Sequence, residues 1–562
     1  MNNIYDITAK HLIDDMRIST RFINIMASDQ SIHKIVSIID TNFSPTQKLA
    51  LMLKIEGANF FAGNDKRELR KKIIDKWDDE RISYAFDKYC SSGGKTRAHK
   101  VNKLAELKWF MGGGWPKLFM AFSRIDESFA GESNTIHIPD YEDIEPYRRL
   151  PTLVTFQEDI KERLLKKLHD FGDDAKSIIS LPTGAGKTRI AVEAYIEYLR
   201  PRFSEQKYLI WIAQSEELCE QAVSTFHHIW KDKEFSESLR VYRFFGKHNL
   251  SIEKMIGGVV VCSINKLYNA IGDTPSVEVV ELLKNCGACI IDEAHRAVTT
   301  MYNKFYELGK SIRGDKMFPI CGLTATPGRG DDTTKLPKAF KYQLETPNLP
   351  KMYEDIPLEY FRAHKYLARP THKAITTNAE YIFSFDGNSK IGVDSIEFEN
   401  ELKGRCCKAL ANDVGRNKLI LNVLLGISKQ QVIVYACNVE HARIITSALL
   451  AKGKSAAAIT ADTPRYRRLR YVEQFRNGEL QFIVNHSVLT TGFDAPKTDC
   501  IVICRPIFSD VLYEQIVGRG LRGIKFGGTE YCDIIDFTDN LGRFGDQQSY
   551  HRFINFWNKQ QV

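Results

Sequence analysis

From Pro151 onward, short apolar runs rich in β-branched residues alternate with helical stretches: SIISLP, YLIWIA, GGVVVCSI, ACIIDEA and FPICGLTAT. The same texture returns from about Asp413 in QVIVYA, AAAIT, QFIVNHS, DCIVICRP and YCDIIDF. Such alternation predicts βαβ units, hence a parallel sheet with helices on both faces. Its recurrence predicts two such domains in tandem, since 562 residues are too many for one hydrophobic core. The stretch 346–400 between them is less regular, and EYIFSFDGNSKIGVDSIEF within it reads as a hairpin insertion or a flexible connector. Residues 1–125 read as helical: SIHKIVSIID and TQKLALMLKIEG place apolar residues three and four apart, and Ser44-Pro45 suits a helix start.

Charge divides the N-terminal third. Residues 88–124 hold eight basic residues against one acid, Glu106, whereas 126–145 carries seven acids and no Lys or Arg. The sign change marks a boundary, and the acidic stretch reads as a linker or a surface strap. No apolar run approaches the ~18 residues of a membrane span. The start has neither a basic nor an apolar leader region, and the one CxxC, Cys286–Cys289, runs straight into a strand with no second pair to complete a zinc site. A reduced, soluble, cytoplasmic protein without membrane contact is expected.

Three segments carry chemistry. Leu181-Pro-Thr-Gly-Ala-Gly-Lys-Thr188 follows a strand and opens a helix. A glycine-containing turn there exposes successive backbone N–H groups of Thr183, Gly184, Ala185 and Gly186 to phosphate oxygens; Lys187 reaches the β- and γ-phosphates and Thr188 holds Mg²⁺. A plain tight turn would not call for Gly, Lys and Thr in this order. Asp292 and Glu293 end an apolar strand about 100 residues later, at the sheet edge where nucleotide sites lie. Asp292 is placed to hold Mg²⁺ through water and Glu293 to take a proton from the attacking water. In Gln515-Ile-Val-Gly-Arg-Gly-Leu-Arg522, Arg519 and Arg522 are three apart and are expected on one helix face, presented across an interdomain cleft to the γ-phosphoryl group.

PTGAGKT, DEAH, LTATP (Leu323–Pro327), LTTGFDAP (Leu489–Pro496) and QIVGRGLR together resemble the ordered motif set of superfamily 2 helicases, over residues 150–545. The resemblance implies two RecA-like domains, at 150–345 and 401–545, using ATP and Mg²⁺, with a tail at 546–562. It implies that Thr324 and Thr326 couple hydrolysis to domain movement. It implies that Thr490, Thr491, Gly492 and Asp494 contact nucleotide and nucleic acid, that Gln515 belongs to the catalytic set, and that Gln157 reads adenine. The second half is most similar to bacterial RadD-type and XPB-type DNA helicases, although the cysteine-rich zinc segment of RadD is absent and the N-terminal domain matches no family. DNA is the implied partner, RNA the alternative, and a protein partner is the alternative use of the N-terminal domain.

Gln214, Ser215, Ser263 and Asn265, at strand ends, lie where the family grips the sugar–phosphate backbone, and Arg465, Arg467 and Arg468 begin a second-domain helix suited to the same task. Lys95, Arg97 and Lys100 belong to the basic run and are expected to meet phosphates, whereas the aromatics among them are expected to form that domain's core. An ATP-driven helicase or translocase follows, with an ATP-gated binding or annealing module, an RNA-directed motor, or a subunit of a larger assembly as rivals.

Overall fold

A computed structural model describes residues 4–540, apart from 28–29, 40–42, 91–95, 132–138, 145–151, 233–237, 315–316, 326–334, 342, 355–356, 381–395 and 490–494. Eight strands build the first sheet: β1 (Tyr141–Ile144), β2 (Lys176–Ser180), β3 (Tyr208–Ala213), β4 (Leu239–Phe244), β5 (Gly258–Ser263), β6 (Cys286–Ile291), β7 (Ile320–Thr324) and β8 (Leu344–Glu345). Their order is β1-β4-β5-β3-β6-β7-β2-β8, parallel except for β1. Every residue of β3 and β5 is buried because helices cover both faces, so these strands read as unbroken apolar runs. Leu209 and Trp211 pack under helices Thr155–Phe171, Lys187–Leu199 and Glu216–Asp232. Ile210 and Ile212 pack under Ile264–Ile271, Val277–Lys284 and Thr300–Arg313.

The second sheet comprises β9 (Arg369–Glu380), β10 (Val432–Tyr435), β11 (Ala456–Ile459), β12 (Phe482–Asn485), β13 (Cys500–Ile503) and β14 (Tyr531–Asn540). All its pairs are parallel, in the order β11-β12-β10-β13-β14-β9. One expectation needs correction, and of the two readings of the acidic stretch one is favoured. The stretch 346–400 supplies the edge strand β9 of the second sheet, running beside β14, and then helix Ile396–Asn412; the expected hairpin at 381–395 lies outside the described residues. The acidic stretch 126–149 is less a linker than a strap. Its first residues close the N-terminal core at Phe129 and Ala130, and its strand β1 joins the first sheet. The charge run has a purpose there: Arg240 grips Asp143 through two bonds at 2.6 and 2.7 Å, and Arg243 pairs with Glu142.

The N-terminal domain is helical, and helix Pro45–Glu56 starts with the capping box of Ser44 and Gln47. One side of that helix, Leu49 and Leu53, enters the domain's own core with Phe60, Phe61, Trp77, Trp115 and Phe119. The other side does not face water. Leu51, with Ile35, Ile38 and Ile39, joins Ile420, Leu424, Ile445 and Leu449 in the core of the second sheet domain, while Lys34 bonds Asn412 at 2.9 Å. The N-terminal domain is thus mounted on the second motor domain.

Candidate active site

The phosphate loop joins β2 to helix Lys187–Leu199. Gly184 and Gly186 take φ of +89° and +90°, a region that L side chains avoid, which turns the chain tightly over the helix N-terminus. Gln157 braces this loop: its Oε1 accepts from Val154 N at 3.2 Å, its Nε2 donates to Ala185 O at 2.9 Å, and it is 2% exposed. Both ends of the amide assigned to adenine by resemblance are therefore engaged within the chain. Lys187 Nζ donates to Leu181 O at 2.8 Å and Pro182 O at 3.3 Å, so the ammonium is held over the loop by its own carbonyls.

Asp292 and Glu293 follow β6, and Asp292 N is still paired to Ile212 O at 2.9 Å, which fixes the pair at the C-terminal sheet edge. Glu293 sits at φ 51°, a strained conformation for a non-glycine residue and of the kind that clusters at functional sites. Glu293 N donates to Asp292 Oδ1 at 3.0 Å, and Glu293 Oε2 lies 3.4 Å from His295 Nδ1. Burial, and then the neighbouring Glu293 charge, push the Asp292 carboxyl up to about 7. Burial alone would raise Glu293 as well, but His295, Lys187 and Arg519 outweigh it and hold that carboxyl below its usual range. Burial lowers the Lys187 ammonium, against the pull of both carboxylates.

The second domain closes the site, by a different route from the one its sequence suggests. Arg519 and Arg522 do not share a helix face. Helix Asp510–Val517 ends before them, Arg519 lies in the following turn, and Arg522 bridges to Leu367. Past the helix end the chain runs close against its neighbours: a Cβ on Gly520 would collide with Cys532 Sγ, and one on Gly523 with the Lys365 carbonyl. The backbone itself is thereby laid against the loop. A Cβ on Gly184 would sit 3.8 Å from Arg522 Cα, and the Arg519 charge acts on Lys187, Asp292 and Glu293 together. Glu514 also acts on Lys187; it lies one residue before the half-buried Gln515 and was not singled out from the sequence. Beside this contact lies an interdomain cavity of about 450 Å³, bounded by Thr183, Phe361, Tyr513 and Gly518.

The site fits Mg²⁺ and a nucleotide. Two partly buried carboxylates stand side by side at one sheet edge, burial and mutual repulsion raising one of them to about 7, a donor set that suits a divalent cation. Thr188 and Asp292 would hold the ion, and the loop amides of 183–186 with Lys187 would hold the phosphates.

The remaining candidates are scattered. Ala213 faces Ser263 across β3 and β5, so Gln214, Ser215, Ser263 and Asn265 form one polar edge; Ser215 and Ser263 hydroxyls accept from Leu218 N and Lys266 N, both at 3.3 Å. Thr324 ends β7, fully buried. Thr326, Thr490, Thr491, Gly492, Asp494 and Lys95 lie outside the described residues. Arg97 is engaged inside the N-terminal domain, with Asp79 and the carbonyls of Asp75 and Trp77, and Lys100 bonds Ser83 at 3.0 Å, which draws both away from the expected phosphate role.

Residues 151–329 match the family described as the type III restriction enzyme, res subunit, and residues 415–523 match the helicase conserved C-terminal domain. The first sheet domain thus belongs with the res-subunit family and the second with the helicase C-terminal family. The chain is 26% identical over 398 residues to Saccharomyces cerevisiae IRC3, named an ATP-dependent helicase, covering 69% of this chain and 51% of that one. It is 27% identical over 396 residues to Schizosaccharomyces pombe irc3, named a mitochondrial ATP-dependent helicase, covering 68% and 57%. The solved structure of the helicase MrfA bound to DNA aligns over 75% of this chain and 56% of its own, at 15% identity and a TM-score of 0.47. The chain spans about half the length of the curated relatives it matches, and none of the three is named as RadD- or XPB-type.

Proposed function

We propose that this chain couples ATP hydrolysis in the interdomain cleft to movement along, or remodelling of, DNA, in repair, recombination or defence against phage. The observation that carries the reading is the delivery of the Arg519–Arg522 turn from the second domain to the loop and carboxylates of the first. Hydrolysis then depends on closure, and closure can be made to depend on a strand lying across both domains. Bound ATP supplies the γ-phosphoryl group. Glu293, held ionised, takes a proton from the attacking water; Lys187 and the loop amides hold the phosphates; Arg519 and Arg522 meet the charge that develops on transfer. The polar edge of Gln214, Ser215, Ser263 and Asn265, with Thr490, Thr491 and Arg467, is the proposed grip on the strand.

DNA is preferred to RNA because the last motif starts with Gln515 and because the matched family is named for a restriction enzyme subunit. The N-terminal domain extends the second motor domain toward nucleic acid or a protein partner. Its site is proposed as cytoplasmic; among the described residues no helix is long and apolar enough to cross a membrane. The test is ATPase stimulation by single-stranded, duplex and forked DNA and by RNA of one sequence. Stronger stimulation by RNA would reverse the choice of strand, and stimulation without strand displacement on forks would make the protein a translocase or ATP-gated annealing module.

A further inference from the structure

The second domain touches the phosphate loop at a glycine whose backbone does not need to be one. Gly518 has φ −58° and ψ −19°, comfortable for any residue, so conformational freedom does not explain it. Space does. A Cβ at 518 would lie 2.6 Å from Thr183 Cβ and 2.8 Å from Thr183 Cγ2. Carbon atoms in contact prefer about 3.5–4.0 Å, so one methyl group would force the loop and the second domain apart by roughly 1 Å. Thr183 Cβ cannot swing aside, being fixed to the loop backbone between Pro182 and Gly184. Arg519 is the next residue along, and Arg522 Cα meets the same loop at Gly184, so a displacement at 518 is a displacement of both arginines.

We propose that Gly518 is a positioning residue for turnover: its bare backbone seats the Thr183 side chain and so sets the distance at which the second domain's arginines meet the phosphate site. This rests on the motor reading given above. It adds a contact that acts only when the domains close, and therefore on the rate rather than on nucleotide affinity, because the phosphate loop belongs wholly to the first domain. Misplacement of catalytic groups by 1 Å typically costs ~10²-fold in rate.

The test is a double-mutant comparison in the full chain, with DNA-stimulated ATPase as the readout. Gly518→Ala is expected to lower kcat by ~10²-fold with KM for ATP changed less than about threefold. In a Thr183→Gly background, which removes both clashing atoms, the same substitution is expected to cost less than about tenfold. The third neighbour of the added methyl, the Glu514 carbonyl at 2.9 Å, lies within the second domain and is common to both backgrounds, so it cancels. Gly520→Ala serves as the contrast: its clash is with Cys532 inside the second domain, so it should lower thermal stability and gain nothing from Thr183→Gly. Closure is read separately, as transfer between fluorophores at the exposed positions 171 and 531 with ATP in a Glu293→Gln background; Gly518→Ala should leave the domains farther apart. An equal cost of Gly518→Ala in both backgrounds, or unaltered closure, would overturn the proposal. A wild-type protein without ATPase activity on any nucleic acid would instead sink the motor reading beneath it.

Discussion

Leu51 offers a direct measure of how firmly the N-terminal domain is fixed to the second motor domain. The residue is 3% exposed and sits in a shared core with Ile35, Ile38, Ile420, Leu424 and Leu449, although its helix belongs to the N-terminal domain. Leu51→Ala removes buried methyl groups and leaves a cavity whose walls come from two domains, so about 3 kcal/mol is expected, within the 2–5 kcal/mol range of such truncations. The N-terminal and second motor domains together form a unit of several hundred residues, in which 1 kcal/mol moves the midpoint by ~2–4 °C. A fall of roughly 6–12 °C follows, provided the two domains unfold together. Differential scanning calorimetry with and without Mg–ATP separates the transitions, because ligand raises the first domain's midpoint by mass action. The expected result is a downward shift of one joint transition, with the ligand-sensitive one unmoved. A separate small transition that shifts while the second domain keeps its midpoint would show that the shared core does not join the two.

Lys187→Ala should abolish hydrolysis without unfolding the first domain, since among the described residues Lys187 bonds carbonyls of its own loop; Glu293→Gln should bind ATP yet turn over at least ~10²-fold more slowly, and near-normal rates in either would refute the assignment. Arg519→Ala should lower kcat by ~10³-fold or more while nucleotide affinity measured by titration changes little, because the charge it meets develops in the transition state. Asp536 is buried, accepts from Tyr513 Oη at 3.1 Å, and is pushed up to about 7 by burial. A folded carboxyl raised above its unfolded value of about 3.9 penalises the folded state once ionised, and the penalty is relieved as pH falls from about 7 toward about 4. Denaturant titrations of wild type and Asp536→Asn should therefore converge by up to about 4 kcal/mol between pH 8 and pH 4, and a gap independent of pH would count against the raised carboxyl.

What could be read from the sequence and what could not divides along a physical line. The strands were legible because parallel strands buried on both faces must be apolar throughout, and the runs at Tyr208–Ala213 and Gly258–Ser263 are. The loop at 181–188 and the pair Asp292–Glu293 were legible because phosphate and metal chemistry demand fixed residue types at fixed places. Strand β9 was not: RPTHKAITTNAE lies at a sheet edge, carries Pro370 near its start, and has little apolar surface to announce it. The arginine turn was misplaced because spacing alone suggested a helix face, whereas the helix ends at Val517 and Gly518, Gly520 and Gly523 pack the following turn closely against Thr183, Cys532 and the Lys365 carbonyl. For the acids at 140–143 linker and strap stayed open because Arg240 and Arg243, which pair with them, stand about a hundred residues later on β4. The isoleucines at 35, 38 and 39 show the limit most plainly. Their spacing gave an apolar helix face, and a face of that kind must be covered, but periodicity carries no information about what covers it. The cover is helices Val414–Leu425 and Val439–Ala451, nearly four hundred residues away, so the N-terminal domain is tied by its core to the second sheet domain.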